Sequence, residues 1–352
     1  MRFEKKDSMT IKGVAILLLL FYHLFAQTFV YADFEVEFLL GTKGAVFLSS
    51  FGNICVAIFL FISAYGITTS LFQSEKVILD NKQIAKASFT RALILIFHFF
   101  IMYVSIWLIW FSKLHYTWVY GEGKQSILFA LTDALGLAEI FQTPTICMTW
   151  WYMELAILCI FIVPFFQMIY KKINMVLLAG LLVIPCVISV DMDVYKYIFV
   201  VGIGVCAANG NWINRLKEIK LHFVLKVGIA SLFMMVTFLV RSNAIVSEYY
   251  AFFAEGIIAF VWVVGIYIIF EKIPIITKIL QFFGKYSMNI FFTHTFFYMI
   301  MYRDVLYSLK YAGLIYMVLL GISLLYSIVI EFIKRRIGFY ILVKKIKEGI
   351  NG

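Results

Sequence analysis

SILFALTDALGLAEIF, residues 126–141, is apolar enough to pass for a membrane span and too short to make one. A hydrocarbon core about 30 Å thick needs about 20 apolar residues in a helix. This stretch also carries two carboxylates, Asp133 and Glu139. Whether it crosses a bilayer decides the fold, because every loop after it changes side with the answer.

The surrounding sequence leaves little doubt about the solvent. Of 352 residues, 63% are hydrophobic and 14% charged, against roughly half and a quarter in a soluble domain. That much hydrocarbon must leave water or aggregate, which excludes a soluble enzyme, a fibrous protein and a disordered chain. Span-length apolar runs occupy 11–32, 45–72, 90–112, 150–170, 174–190, 195–209, 222–241, 251–270, 284–302 and 312–333. With no small-residue cleavage site after the first run, it is expected to stay as a signal anchor. The expected fold is an all-α polytopic membrane protein with about ten transmembrane helices and a short re-entrant or interfacial helix. It is expected to form one membrane domain over 1–352, with a basic cytoplasmic tail at 334–352.

Charge decides the case of 126–141. If it does not span and the N-terminus is cytoplasmic, 23 of the 30 basic residues fall inside. If it does span, the split becomes 12 inside and 18 outside. Positive residues concentrate on the cytoplasmic side, so the chain is expected to be multi-pass in the cell membrane with both termini cytoplasmic. The net charge of +10 then reads as topology signal and contact with membrane lipids, not as a nucleic-acid surface.

Ionisable groups inside spans are expensive and become functional candidates. In TIKGVAILLLLFYHLF (10–25), Lys12 and His23 are eleven residues apart, about 16 Å along a helix and nearly on one face. Either they are a snorkelling anchor and a carbonyl-bonded histidine, or they belong to one site. Lys86 and Arg91, with Lys76 and Lys82, form a cationic entrance to the third span, fit for phosphate or for topology alone. In TWWYMELAILCIFIVP (149–164), Trp150 and Trp151 suit an aromatic belt or a sugar platform, but Glu154 needs a partner. In GKYSMNIFFTHTFFYM (284–299), Asn289 and His294 are either site residues or helix–helix hydrogen bonds. Five cysteines without a CxxC pair and five scattered histidines give no disulfide framework and no metal site. Nucleotide-binding loops and hydrolase elbows are likewise missing from the sequence.

Taken in order, four features resemble the integral-membrane acyltransferase-3 family. They are Lys12 and His23 in the first span, GNICVAIFLFISAYG (52–66) with Ser63 in the second, Arg91 entering the third, and Trp150, Trp151, Glu154 and Pro164 followed by GKYSMNIFFTH. The resemblance runs from about residue 8 to 335. It implies acyl-CoA, usually acetyl-CoA, as a co-substrate and not a resident cofactor, with a cell-surface polysaccharide or lipid-linked glycan as acceptor. It implies an O-acetyltransferase in which Lys12, Arg91 and Lys86 hold the coenzyme's phosphates and His23 is the general base. Glu154 would orient the imidazole or bind the sugar, while Ser63, Trp150, Trp151, Asn289 and His294 line the acceptor side. Succinyl or another acyl group, and an acyl-histidine relay, stay open. A buried Lys/His/Glu set would equally suit a proton-coupled small-molecule (amino-acid) transporter, though the chain lacks the repeats such folds favour. A homo-oligomer is compatible with everything above.

Overall fold

The computed structural model describes residues 3–73, 80–110, 115–187, 197–243 and 251–351. Lys76, Lys113 and Lys196, and the side chain of Cys186, lie outside the described residues. Helices dominate, and no strand occurs among the described residues beyond an isolated bridge between Glu37 and Tyr311. In chain order they are α1 Lys5–Phe25, α2 Gly41–Ser50, α3 Cys55–Phe72, α4 Asn81–Trp110, α5 Tyr116–Tyr120, α6 Lys124–Ala134, α7 Trp151–Ile173 and α8 Val176–Val187. Then follow α9 Ile198–Asn209, α10 Trp212–Glu218, α11 Phe223–Arg241, α12 Ala251–Ile269, α13 Pro274–Thr295, α14 Arg303–Tyr307, α15 Ala312–Arg336 and α16 Phe339–Asn351.

Seven described stretches are long and apolar enough to cross a membrane: Lys5–Phe25, Gly41–Phe72, Asn81–Trp110, Met148–Ile173, Phe223–Arg241, Ala251–Lys272 and Ala312–Arg336. The chain is therefore an all-α, multi-pass membrane protein, since backbone polar groups in hydrocarbon must be satisfied within the segment. Of the other expected spans, α8 and α9 are twelve residues each. The run 284–302 begins earlier than expected, at Pro274, and its apolar character is interrupted by Lys285, Asn289 and His294. Within 126–141, the helix α6 ends at Ala134 after only eleven residues, and Gly136 turns the chain at φ +69°. Eleven residues rise about 16 Å, half of what a crossing requires.

The chain divides into two compact units. The first comprises Met1–Ile78, Ile162–Ser287 and Tyr307–Met317; the second comprises Leu79–Phe161, Met288–Leu306 and Val318–Gly352. In the first unit, helices approach through small residues. A Cβ on Gly13 would stand 2.0 Å from the Leu280 carbonyl oxygen, and one on Gly284 would stand 1.8 Å from that of Met9. Only glycine permits this crossing of α1 and α13, a close approach common where no water drives helices together. Gly52 makes the same allowance for Leu18 and Tyr22, and Gly204 for Ala64 and the Phe61 carbonyl. Ahead of α1, the Phe3 ring packs edge-on against Tyr65 and Tyr267, each at 5.2 Å, and its N–H donates to Asn214 Oδ1 at 2.7 Å. Arg241 and Glu255 pair at 2.7 Å, closing α11 onto α12.

In the second unit, α4 is the spine. Phe99 packs on Trp150 at 5.0 Å and on Phe292 at 5.1 Å, and Ser105 shares a short hydrogen bond with the Tyr326 hydroxyl at 2.5 Å. The stretch 334–352 is largely a helix: Gly338, at φ +72°, breaks α15 from α16, and Phe339 stacks edge-on against His98 at 4.4 Å. Lys334, at the head of that stretch, is completely buried.

Candidate functional site

Lys12 and His23 both lie on α1, in the first unit, each half-buried. The intervening positions on their face, Ile16 and Leu19, are fully packed. A helix of 21 residues spans about 30 Å, so Lys12 belongs to the N-terminal half and His23 lies near the opposite end. His23 is within two residues of its C-terminus, closer to the far boundary than the mid-membrane position its distance from Lys12 alone suggests. Its ring meets Tyr22 edge-on at 4.9 Å. Ser63 lies half-buried on α3 of the same unit, one residue before Ala64, which packs against Gly204.

The other expected site residues belong to the second unit. Lys86 is exposed and Arg91 half-buried on α4. Five residues separate them, about 140° around the helix axis, so the two cations face different directions while Lys82 and Lys86 share a face.

Glu154 is 4% exposed, and its carboxylate accepts the backbone N–H of Glu139 at 2.7 Å and that of Ile140 at 2.9 Å. Both donors come from the loop after α6. Those bonds tie the side chain to the segment after α6, and we assign it as a positioning residue. Trp150 is likewise committed: it is buried, and its indole N–H donates to the Phe292 carbonyl at 2.8 Å. An embedded ring cannot serve as a sugar platform; half-buried Trp151 keeps that capacity.

His294 is fully buried. Its Nδ1 lies 2.7 Å from the Phe291 carbonyl and 3.1 Å from that of Ile290. A carbonyl can only accept, so Nδ1 carries the proton and Nε2 is the acceptor. Thr149 donates to Thr295 at 3.0 Å, and the Thr295 hydroxyl completes the relay to Nε2 at 3.2 Å. Asn289 bridges an ion pair: its amide donates to Glu331 at 2.9 Å and its oxygen accepts Lys334 at 3.1 Å, while those two pair at 3.0 Å. Asn289 therefore ties α13 to α15, the second of the two readings its sequence context allows, while these bonds of His294 lie within α13 and lead to Thr149 through Thr295.

The sequence reading missed Asp133 as a structural centre. It has no exposed surface and accepts the Tyr120 hydroxyl at 2.6 Å, the Thr145 hydroxyl at 2.7 Å and the Ile146 N–H at 2.9 Å. Burial raises its pKa to about 6, against the opposing pull of those three donors. Tyr120 is pushed up in turn by its own burial and by the neighbouring carboxylate. An aspartate in the middle of an apolar helix was the available signal. The partners of Glu331 and Lys334 lay too far along the chain to be paired from sequence. Among the described residues no His, Cys, Asp or Glu group is arranged to hold a metal ion, and the four described cysteines are free and buried.

A multi-pass helical membrane protein with a Lys/His stripe on its first span is the class that the fold and these residues define. Residues 9–333 match the family model described as acyltransferase domain. The chain belongs to that family, and is a membrane acyltransferase. Among curated proteins and among solved structures, nothing matches the chain.

Proposed function

We propose that the chain is an O-acetyltransferase of the cell membrane, both termini cytoplasmic, moving an acetyl group from cytoplasmic acetyl-CoA to a hydroxyl of a cell-surface polysaccharide or lipid-linked glycan. The observation that carries this reading is the stripe of Lys12 and His23. A cation and an imidazole stand about 16 Å apart on one helix face, which suits an extended thioester anchored by its phosphates near one end. Lys12 binds phosphate there. The excess of basic residues on one side of the membrane supports the orientation.

His23 has the chemistry the transfer needs. Its neutral ring nitrogen takes the proton of the acceptor hydroxyl as the oxygen attacks the thioester carbonyl carbon. The C–O bond forms, the C–S bond breaks, and the thiolate leaves on coenzyme A, taking the proton back from the imidazolium. Ester and thiol are the products, and His23 ends as it began.

Incorporation of label from acetyl-CoA into the native glycan fraction, in membranes holding wild type or His23→Ala, tests this. Transfer by wild type and a loss of about 10²–10⁴-fold in the variant are expected for a general base. Wild-type membranes that bind acetyl-CoA yet transfer nothing to any glycan would refute the acceptor. Full activity in His23→Ala would refute the base.

A further inference from the structure

A groove of about 890 Å³ opens along the side of the first unit, within the volume range of small-molecule sites, roughly 300–1,000 Å³. Its walls are almost wholly hydrocarbon: Val14, Leu18 and Phe25 on α1, Leu48 on α2, Leu280 on α13 and Tyr316 on α15. The α1 residues on this wall cluster on one face, about 160–180° around the helix axis from Lys12 and His23. The groove is therefore separated from the proposed acyl-transfer stripe by the body of α1, and what it holds is independent of that reading.

One end of the groove is built and charged. Glu37 is the charged residue among the described lining. Its N–H donates to the Lys310 carbonyl at 2.8 Å, and its own carbonyl accepts the Ala312 N–H at 3.1 Å. Its carboxylate pairs with the Lys310 ammonium at 3.1 Å. Lys310 holds φ at 67° to make this closure, a left-handed conformation that a lysine adopts at a cost. Glu35 lies close enough to act on the same ammonium. Lys43 stands in the first turn of α2, between the lining residues Leu40 and Ala45, and that helix has no side-chain cap.

A hydrocarbon slot ending in both carboxylates and ammoniums matches an amphiphile whose head carries both signs. Lys43, Lys310 and the uncapped N–H groups of α2 suit a phosphate. Glu35 and Glu37 suit an ammonium, and they repel a head that is only anionic. A primary ammonium donates hydrogen bonds to carboxylates, whereas a quaternary one has none to give. We propose that the groove binds one zwitterionic amino-phospholipid of the phosphatidylethanolamine class, its chains against α1 and its head at the Glu37–Lys310 rim.

Delipidated full-length protein in detergent, titrated with phosphatidylethanolamine, phosphatidylcholine, phosphatidylglycerol or a polyprenyl phosphate and read by native mass spectrometry, tests this. One equivalent of phosphatidylethanolamine should bind at least tenfold more tightly than the others. Gly313 lines the groove, and a Cβ there meets nothing within 4 Å, so Gly313→Phe should fold and lose that binding at least tenfold. Leu48→Trp fills the same space from α2 as a second blocking variant. Glu37→Gln should keep a bound lipid while the preference for phosphatidylethanolamine over phosphatidylcholine falls to near parity. Equal binding of all headgroups, tighter binding of polyprenyl phosphate, or undiminished phosphatidylethanolamine binding in either folded blocking variant would overturn the proposal.

Discussion

In α1, Lys12 and His23 lie on one regular helix of 21 residues, with His23 in its last turn. In residues 116–154, by contrast, Asp133 gathers the Tyr120 hydroxyl and the Ile146 N–H, and Glu154 the N–H groups of Glu139 and Ile140, and the short helices there are packed around them. A buried carboxylate surrounded by main-chain donors is holding a loop that has too few hydrogen bonds of its own. A cation and an imidazole inside a span are expensive, and in the proposed function Lys12 and His23 meet that cost with ligand chemistry, whereas Asp133 and Glu154 are bound into the scaffold.

The largest effect should come from breaking the frame that supports the α1 stripe. Gly13→Leu drives a side chain into the Leu280 backbone, where even a Cβ would sit 2.0 Å from the carbonyl oxygen. Overpacking typically costs about 1–3 kcal/mol and more when backbone must move. The yield of monodisperse protein from detergent should collapse, whereas Gly313→Ala, at a position with open space, should leave it unchanged. Next, Glu154→Ala strips the donors of Glu139 and Ile140 of their acceptor. A loss of about 1–3 kcal/mol is expected, seen as faster hydrogen exchange confined to residues around 136–143.

Asp133 sharpens the comparison through pH. Its folded pKa is raised to about 6 from 3.8, so between those values the folded protein binds more protons than the unfolded one. Stability of the segment around Asp133 should therefore be greatest below about pH 4, fall as pH rises to about 6, and level off above that, by an amount on the order of 3 kcal/mol. Asp133→Asn should abolish the slope in exchange rates corrected for intrinsic pH dependence; an unchanged slope would assign it to another group. The smallest effect belongs to Trp150→Phe, which removes one hydrogen bond, to Phe292, and keeps the ring. About 1 kcal/mol of thermal stability should go, with no change in acceptor affinity if the indole is scaffold.

Much of this was legible in the sequence. Apolar runs announced the long spans, and the placement of Lys and Arg argued against a crossing by 126–141, where α6 is eleven residues long. The four-residue break at Phe51–Ile54 inside the run 45–72 was marked only by Gly52 and Asn53, two residues that a long apolar run absorbs without losing its span-like character. The start of α13 at Pro274 was readable in principle, proline being favoured in a first turn, but Lys278 and polar neighbours blurred the apolar run. For the site, spacing along one helix related Lys12 to His23. Nothing local told Glu154 apart from a catalytic acid, because its donors, Glu139 and Ile140, are main-chain groups that any residue type would supply. Asn289 was equally opaque, its partners Glu331 and Lys334 lying more than forty positions downstream.

The most direct test sets the two regions side by side: acetyl transfer per folded molecule, with fold checked by thermal melting, in His23→Gln and Glu154→Gln. A loss of at least a hundredfold is expected in His23→Gln with melting unchanged, and a lowered melting temperature in Glu154→Gln with transfer per folded molecule close to wild type. Near-normal transfer in His23→Gln, or a stable Glu154→Gln protein that no longer transfers, would contradict these roles.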